Sequence, residues 1–388
     1  MNNRCIVIIG SGLGGYSLAQ ELRRKDDTLD LTLVTEDAGA SYSKPLLSNA
    51  IALQRPASQW IAASSDAMAA RLNLKVMTRE RVMAIDAAQR RIETASGRLD
   101  YDALILATGA EPATPPLAGD AAGHVISVNH LNDYVRFREA IEGAQRVLVI
   151  GAGLIGCEFA NDLLHARLTP IVVDPGPRPL AALAPAETGL ALQRALAAGG
   201  VQWRFGQTVK SIVAAQPGYL ATLANGDTIA VDAVLSATGL RARTALARHA
   251  GLRVERGIVV DRYGRTSDPH IHALGDCAEY PDGLHPFVRP ILIAAKAMAA
   301  TLTGTPTPIV LPVLPVTVKT PLHPVIVLAP EAGTAGSWHA GAEHVGADSH
   351  LVFRDDDGNP RGFSLGGASA QARAQALLKQ IGAPRVPA

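Results

Sequence analysis

The sequence predicts an α/β fold class with two Rossmann-like domains, the second inserted in the first, plus a small α+β C-terminal domain. The main observation is a repeated pattern of apolar strand, glycine turn, helix, strand and acid, and each copy later closes with Ala-Thr-Gly. The first copy begins at residues 5–9 and the second at residues 146–150. Two such copies rarely arise by chance, so the repeat indicates two related βαβ units in one chain.

The glycines of the first copy have the spacing G-x-G-x-x-G and predict a dinucleotide-binding turn. Gly10 allows the tight turn, Gly12 lets a diphosphate touch the backbone, and Gly15 lets helix and strand pack closely. The free N–H groups around Ser11 and the positive end of the helix dipole then face the phosphates. A glycine-rich turn alone is a weak signal, and the strand before it and the helix after it support this one.

An acid after the second strand supports the same site. Residues 31–35 read as a buried strand that ends at Glu36 and Asp37. A carboxylate at this distance, about 20 residues beyond the glycines, accepts hydrogen bonds from a ribose. Either acid can do so, and Glu36 is preferred; the alternative is a solvated carboxylate at a strand end.

A lysine in an unusual position follows the second strand. Lys44 precedes Pro45, which suits the first turn of a helix. The helix dipole disfavours a cation there unless something negative or electron-rich, such as a flavin being reduced, lies nearby. The alternative is an ordinary surface lysine.

The second copy predicts a second dinucleotide site. Its glycines, its acid and the end of its closing triplet are Gly151, Gly153, Gly156, Asp174 and Gly239. The closing triplet of the first copy is Ala107, Thr108 and Gly109, where small residues let a ligand approach the backbone. Two dinucleotides in one chain imply a pair that exchanges electrons.

The acid of the second copy favours NADH over NADPH. Asp174 can accept from both ribose hydroxyls, a charge-assisted interaction of roughly 1.5–3 kcal/mol, and it repels a 2′-phosphate. Arg178 lies nearby in the sequence and could accommodate a 2′-phosphate, so NADPH stays an alternative. Glu158, in the first turn of the second helix, is either a dipole partner or a contact to flavin and nicotinamide.

The chain then returns to the first domain. The predicted domains are 1–113 with 240–314, then 114–239, and finally 315–388. Asp276 ends a predicted strand, where it can reach a ribityl hydroxyl or a phosphate. The helix predicted at 287–302 directs its N-terminal dipole at the pyrimidine end of a reduced flavin.

Composition narrows the class of protein. With 388 residues and a formal net charge of +1, nothing points to nucleic acid or a membrane surface. Cys5, Cys157 and Cys277 are too far apart for a disulfide framework or a metal site. No apolar run approaches the roughly 20 residues of a membrane span, so a cytoplasmic protein without a metal is expected.

These features resemble the glutathione-reductase-like flavoprotein reductases, and the resemblance covers nearly the whole chain. Residues 42–45, 151–162, 273–279 and 316–321 resemble the rubredoxin reductase family more narrowly. This resemblance implies FAD contacts for Gly10, Gly12, Gly15, Glu36, Lys44, Val82, Asp276, Val288 and Lys319. It places Glu158 beside flavin and nicotinamide, and the second glycine turn and Asp174 at NADH. The candidate FAD set also includes Ser11, Asp37, Pro45, Ala107, Thr108 and Gly109, and Gly239 is added to the NADH set.

One absence separates this chain from the disulfide reductases. They carry a C-x-x-x-x-C pair on the helix after the first acid, and peroxide-reducing relatives keep one cysteine there. Here residues 42–53 contain no cysteine. A thiol relay needs a thiolate at the flavin, so we expect none, and Cys157 and Cys277 are interpreted as buried structural residues.

The resulting hypothesis is a cytoplasmic, monomeric rubredoxin–NAD⁺ reductase. NADH reduces tightly bound FAD, which passes electrons to rubredoxin or a similar small acidic iron protein, for alkane hydroxylation or a detoxification pathway. No side chain is a catalytic acid, base or nucleophile; Lys44, Lys319 and Glu158 lie beside the flavin. The carrier is expected to dock near Lys44, Arg289, Lys296 and Lys319.

Three alternatives stay open. The first is a reductase of a [2Fe–2S] ferredoxin, which shares the chemistry. The second is an NADH oxidase, disfavoured by the missing cysteine. The third is a protein that binds NADH or FAD as a sensor without turnover, disfavoured by two intact turns and two intact acids.

Overall fold

The structure, a computed structural model, describes residues 4–341 and 348–381. Packing divides the chain into two compact units. The first comprises Met1–Ser43, Ser58–Glu111 and Leu240–Leu311, and the second Lys44–Ala57, Pro112–Gly239 and Pro312–Ala388. The domain bounds 1–113 with 240–314, 114–239 and 315–388 stay a prediction.

Both units contain α-helices. They are α1 (Leu13–Lys25), α2 (Ser65–Leu72), α3 (Leu131–Ala140), α4 (Leu154–His165), α5 (Ala186–Ala198), α6 (Ala245–His249), α7 (Val288–Leu302) and α8 (Ala370–Ile381). Short 3₁₀ helices cover Lys44–Asn49, Ala57–Trp60, Ala122–His124 and Gly275–Cys277. The helix predicted after Lys44 is thus a 3₁₀ helix, and α7 begins one residue later than predicted.

The strands are short. In chain order they are β1 (Cys5–Ile9), β2 (Asp30–Val34), β3 (Ser41–Tyr42), β4 (Ile61–Ala63), β5 (Lys75–Met77), β6 (Val82–Asp86), β7 (Arg91–Thr94), β8 (Gly97–Asp100), β9 (Ala103–Leu106), β10 (Ala110–Pro112), β11 (Arg146–Ile150), β12 (Thr169–Asp174), β13 (Gln202–Phe205), β14 (Val209–Ala214), β15 (Tyr219–Leu223), β16 (Thr228–Val231), β17 (Ala233–Ser236), β18 (Leu240–Ala242), β19 (Ile258–Val259), β20 (Ile271–Ala273), β21 (Ala278–Tyr280), β22 (Gly283–Leu284), β23 (Val316–Val318), β24 (Val325–Leu328), β25 (Ser337–Ala340), β26 (Ser349–Arg354) and β27 (Pro360–Gly366).

The first unit is built on a parallel sheet in the order β20-β9-β1-β2-β5. Side chains alternate along β1: Ile6 and Ile8 pack in the layer of α1 and α7, and Val7 and Ile9 pack in the opposite layer. All four are buried, which explains the continuous apolar run in the sequence. Strand β1 lies between β2 and β9, so the turn that follows it is at the switch point where open α/β sheets bind ligands.

The second unit repeats this arrangement around β11. Its parallel sheet has the order β13-β12-β11-β17, and an antiparallel sheet β14-β15-β16 packs nearby. Leu148 and Ile150 of β11 share a buried cluster with Ile212 and Leu223 of the antiparallel sheet. Because β11 lies between β12 and β17, the second glycine turn is also at a switch point.

The C-terminal part of the second unit is an antiparallel sheet in the order β23-β24-β27-β26-β25. Phe363 and Leu365 of β27 are fully buried, and α8 covers them through Ala374 and Leu377. The sequence pattern gives no indication of strand β25. That strand lies at the edge of the sheet and is mostly exposed, so its residues show no apolar alternation.

No described helix is both long and apolar enough to cross a membrane.

Candidate functional site

The first glycine turn combines two residues required by packing with one that faces open space. Gly10 has φ +114°, its N–H donates to Val34 O at 2.8 Å, and a Cβ there would collide with Ala107 O. A Cβ at Gly15 would collide with the carbonyl of Gly10, whereas a Cβ at Gly12 would meet no atom within 4 Å. The turn therefore leaves room for a ligand at Gly12, as a diphosphate requires.

The second turn has the same geometry. Gly151 has φ +109°, and Cβ atoms at Gly151 and Gly156 would collide with the carbonyls of Ala237 and Gly151. Gly153 again faces open space. The residues of each turn thus fit a dinucleotide.

The two acids after β2 have different surroundings. The Asp37 carboxylate accepts hydrogen bonds from Ser11 Oγ at 3.0 Å, Thr35 Oγ1 at 2.8 Å and Gly39 N at 2.8 Å. All three hydrogen bonds are accepted by Oδ1 and come from residues of the turn and the loop around Asp37. The Glu36 side chain is 55% exposed. This contrast supports Glu36 as the ribose acceptor, which stays a prediction.

The acid that ends β12 holds the second turn in place. Asp174 accepts from Ala152 N and from Gly176 N, both at 2.7 Å, and uses one carboxylate oxygen for each. Each carboxylate oxygen has two lone pairs, so capacity for ribose hydroxyls is left. Arg178 Nη2 donates to Ala184 O at 2.9 Å.

A buried ion pair in the second unit joins residues from distant parts of the chain. Glu158 is 1% exposed, and its Oε2 accepts from Lys319 Nζ at 2.7 Å and Ser48 Oγ at 2.5 Å. Its Oε1 accepts from Lys319 N at 2.8 Å. Lys319 Nζ also lies 2.5 Å from Pro45 O and 3.0 Å from Asn49 Oδ1. A charge buried this deeply is stable only when it is paired and hydrogen-bonded, as it is here.

Two further polar residues of α4 hold the same segments. Asp162 accepts from Ile51 N at 2.8 Å and Ala52 N at 2.9 Å, and Asn161 Oδ1 accepts from Leu322 N at 3.1 Å. Burial raises the pKa of Asp162 to about 6, although the two backbone N–H groups oppose the shift. Helix α4 thus fixes the polypeptide around Ser48 and around Lys319.

Sequence reasoning named Glu158 and Lys319 but missed their partners. Ser48 and Asn49 gave no signal, because serine and asparagine are common in any loop. The two other polar residues of α4, Asn161 and Asp162, did give a signal in the sequence. They follow Glu158 at i+3 and i+4, which places three polar side chains on one side of an otherwise apolar helix.

The predicted residues are distributed over both units. The first unit contains Gly10, Ser11, Gly12, Gly15, Glu36, Asp37, Val82, Ala107, Thr108, Gly109, Asp276 and Val288. The second contains Lys44, Pro45, Gly151, Gly153, Gly156, Glu158, Asp174, Gly239 and Lys319. Leu274, just before Asp276, packs beside Gly14 and so brings Asp276 near the start of α1. Val82 begins β6, away from the glycine turn along the chain, and Val288 begins α7.

The two buried thiols have structural surroundings. Cys157 Sγ lies 3.4 Å from Ala152 O, and Cys277 Sγ lies 3.2 Å from Leu106 O. Burial raises the pKa of both thiols, so both are protonated at neutral pH and are poor nucleophiles. No group of three metal-ligating side chains occurs among residues 4–341 and 348–381.

Comparison with known proteins decides the family. Residues 4–300 match the pyridine nucleotide-disulphide oxidoreductase family, and residues 308–381 match a rubredoxin binding C-terminal domain. The chain belongs to the pyridine nucleotide-disulphide oxidoreductases. This membership confirms the predicted fold class and the prediction of an oxidoreductase with FAD and NADH.

Individual members of the family are similar along nearly their whole length. A rubredoxin-NAD(+) reductase from Alcanivorax borkumensis is 42% identical over 369 residues, 95% of this chain and 96% of its own. A nitric oxide reductase FlRd-NAD(+) reductase from Aeromonas hydrophila is 39% identical over 98% of this chain and 97% of its own. Putidaredoxin reductase, solved in a covalent complex with putidaredoxin, has the same fold, with a TM-score of 0.87, 24% identity and coverage of 98% and 94%.

Proposed function

We propose that this chain passes electrons from NADH through FAD to rubredoxin. The observation that carries the proposal is the match of residues 308–381 to a rubredoxin binding domain, on a chain 42% identical to a rubredoxin-NAD(+) reductase. The predicted partner and the predicted function therefore agree with both comparisons. When bound, FAD accepts a hydride and releases electrons singly, which suits a two-electron donor and a one-electron iron protein.

The first glycine turn is our candidate anchor for FAD. Gly12 leaves space for the diphosphate, and Glu36 presents an exposed carboxylate to the ribose. The N-terminal end of α1 faces the same edge of the sheet and favours negative charge. The contacts of Lys44, Val82, Asp276 and the other predicted residues to FAD are part of this proposal.

The second turn is our candidate site for NADH. Gly153 is open, and Asp174 holds the turn in shape through Ala152 N while keeping lone pairs for a ribose. Arg178 directs Nη2 to a backbone carbonyl of its own loop, which disfavours a 2′-phosphate partner and supports NADH over NADPH.

The Glu158–Lys319 pair is proposed to position charge beside the flavin. Four oxygen atoms surround Lys319 Nζ, so its place is fixed before any cofactor arrives. A fixed ammonium stabilises developing negative charge without reorganisation. This leaves Lys319 less available for the carrier, and the exposed Arg289 and Lys296 of α7 are the better docking candidates.

Stopped-flow mixing of the yellow enzyme with NADH, followed by rubredoxin, a [2Fe–2S] ferredoxin or oxygen, tests the function. We expect NADH to bleach the flavin and rubredoxin to restore its colour fastest. Flavin reduction without rubredoxin reduction would contradict the proposal, and a faster ferredoxin would favour the alternative carrier. A protein that binds NADH without bleaching would be a sensor.

We also propose a monomer in the cytoplasm. The match of residues 308–381 to a rubredoxin binding domain supports a monomer, because this part of the chain is then used for the carrier and not for dimerisation. Sedimentation velocity at micromolar concentration is expected to show one species of about 40 kDa, since the chain mass is 40.5 kDa; a dimer would contradict this part.

A further inference from the structure

Arg243 is fixed at the ligand-binding edge of the first sheet by its backbone. Its N–H donates to Gly109 O at 3.0 Å, and its carbonyl accepts from Thr108 Oγ1 at 3.2 Å. Thr108 and Gly109 follow strand β9. The backbone of Arg243 therefore lies at the carboxyl end of β9.

Its side chain pairs with the acid that follows strand β2. Arg243 Nη1 lies 3.3 Å from Glu36 Oε1, and Glu36 follows strand β2. Since β1 lies between β9 and β2, the Arg243–Glu36 pair joins residues that follow the two strands on either side of β1. The pair therefore lies at the same edge of the sheet as the end of β1, where Gly10 and Gly12 begin the turn.

The guanidinium lies within reach of two carboxylates and is partly open to solvent. Its contacts to Glu36 at 3.3 Å and Glu111 at 3.8 Å are long for ion pairs, and the side chain is 29% exposed. Arg81 also approaches Glu36, but at 4.0 Å and with 81% of its side chain exposed. Of the two arginines beside Glu36, Arg243 is the one anchored at the turn.

We propose that Arg243 binds the diphosphate of FAD and thereby releases Glu36 to the ribose. The diphosphate carries about two negative charges, and an arginine recognises phosphate oxygens through paired N–H donors. The Glu36 contact then serves to hold the guanidinium in place before the cofactor binds. This inference rests on the proposed placement of FAD at the first glycine turn.

Binding of ADP and of adenosine to the full-length chain, freed of FAD, tests the proposal by calorimetry. ADP has the diphosphate and adenosine has only the ribose and base. We expect R243Q to weaken ADP binding about 10–100-fold, the loss of one charge-assisted contact, and to leave adenosine binding within about twofold. R243K, which keeps the charge without the paired donors, is expected to lie between R243Q and the natural chain.

The matched control is E111Q, which removes the other carboxylate near Arg243 and is expected to leave ADP binding within about twofold. Unchanged ADP binding in R243Q, or an equal loss for ADP and adenosine, would overturn the proposal. Should R243Q fail to fold, R243K is tested instead. The proposal is overturned if R243K binds ADP with the same affinity and the same salt dependence as the natural chain. The placement of FAD is tested separately by Gly12→Val, because ADP binding that survives this substitution would exclude the first turn as the site.

Discussion

Single glycines in the two turns serve different needs, which the space around each Cβ position reveals. Gly10 and Gly15 are required by the fold, because a Cβ at either position would collide with a backbone carbonyl. Gly12 has an ordinary φ and open space around it. Packing therefore does not require a glycine at this position, which supports the proposed diphosphate site.

This difference predicts that one alanine substitution lowers stability and that another weakens FAD binding. Gly10→Ala is expected to lower the free energy of unfolding by about 2–4 kcal/mol, since it adds a positive-φ penalty to a steric clash. Gly12→Ala is expected to change it by less than about 0.5 kcal/mol but to weaken FAD binding at least tenfold. Urea unfolding of the FAD-free chain and FAD titration measure the two effects. Equal destabilisation by both would contradict the assignment.

The buried pair of Glu158 and Lys319 predicts non-additive mutations. Lys319→Met leaves a buried carboxylate without its cation and is expected to cost about 2–4 kcal/mol of unfolding free energy. The double variant E158Q/K319M is expected to be more stable than K319M, because no unpaired charge is left. A double-mutant cycle by urea unfolding checks this, with Ser48→Ala as the control for losing one hydrogen bond. Additive losses would show that the two charges are not coupled.

At the scale of elements, α4 determines the structure of its surroundings in the second unit. Its first turn follows the open Gly153, and its polar residues Glu158, Asn161 and Asp162 bind two loops that are far away in sequence. All three are buried, so the helix presents no free polar face. Glu158 also accepts a hydrogen bond from Ser48 of the 3₁₀ helix Lys44–Asn49, a long-range contact that the local sequence does not reveal.

Asp162 predicts a specific pH dependence of stability. Its pKa is raised to about 6 in the folded chain, above the value of about 3.9 expected when unfolded. The folded state therefore binds more protons between these values, and the contribution of Asp162 to stability is present below pH 4 and is lost as the pH rises through 6.

Asp162→Asn is expected to remove this part of the pH dependence. The measurement is the free energy of unfolding at pH 4.5 and pH 7.5, compared between the natural chain and the variant. Asp66→Asn, at an exposed carboxylate in the first turn of α2, is the matched control. An identical difference between the two pH values in all three proteins would contradict the role of Asp162.

At the scale of the whole molecule, a net charge of +1 means that attraction to an acidic carrier must come from local charge. Arg289 and Lys296 are exposed on α7 and lie seven residues apart, hence on one side of the helix. Lys319, by contrast, has its ammonium held by Glu158. Electrostatic attraction of this kind acts mainly on the association rate.

We expect kcat/KM for rubredoxin to fall roughly three- to tenfold between low and physiological salt, while flavin reduction by NADH changes little. Arg289→Glu is expected to lower kcat/KM for rubredoxin about fivefold at low salt. Arg98→Glu, an exposed arginine on β8, serves as the charge-matched control. Equal effects of both substitutions would point to net charge instead of a docking surface.

The sequence by itself determined the parts of the molecule that depend on local backbone geometry. The glycine turns, the strands before them and the acids after them lie within about 30 residues, and each requires particular residue types at fixed spacing. The family, the fold class and the cofactor and donor follow from these parts and are confirmed.

Only the tertiary structure decided which side chains meet across long separations. Glu158 and Lys319 are 161 residues apart, and Arg243 and Glu36 are 207 residues apart. It also gave Asp37 hydrogen bonds within its loop, which form only in the folded chain, and left the Glu36 side chain more exposed. Partners of this kind are selected by packing of distant elements, and a charged or polar residue has no periodicity that reveals its partner in advance.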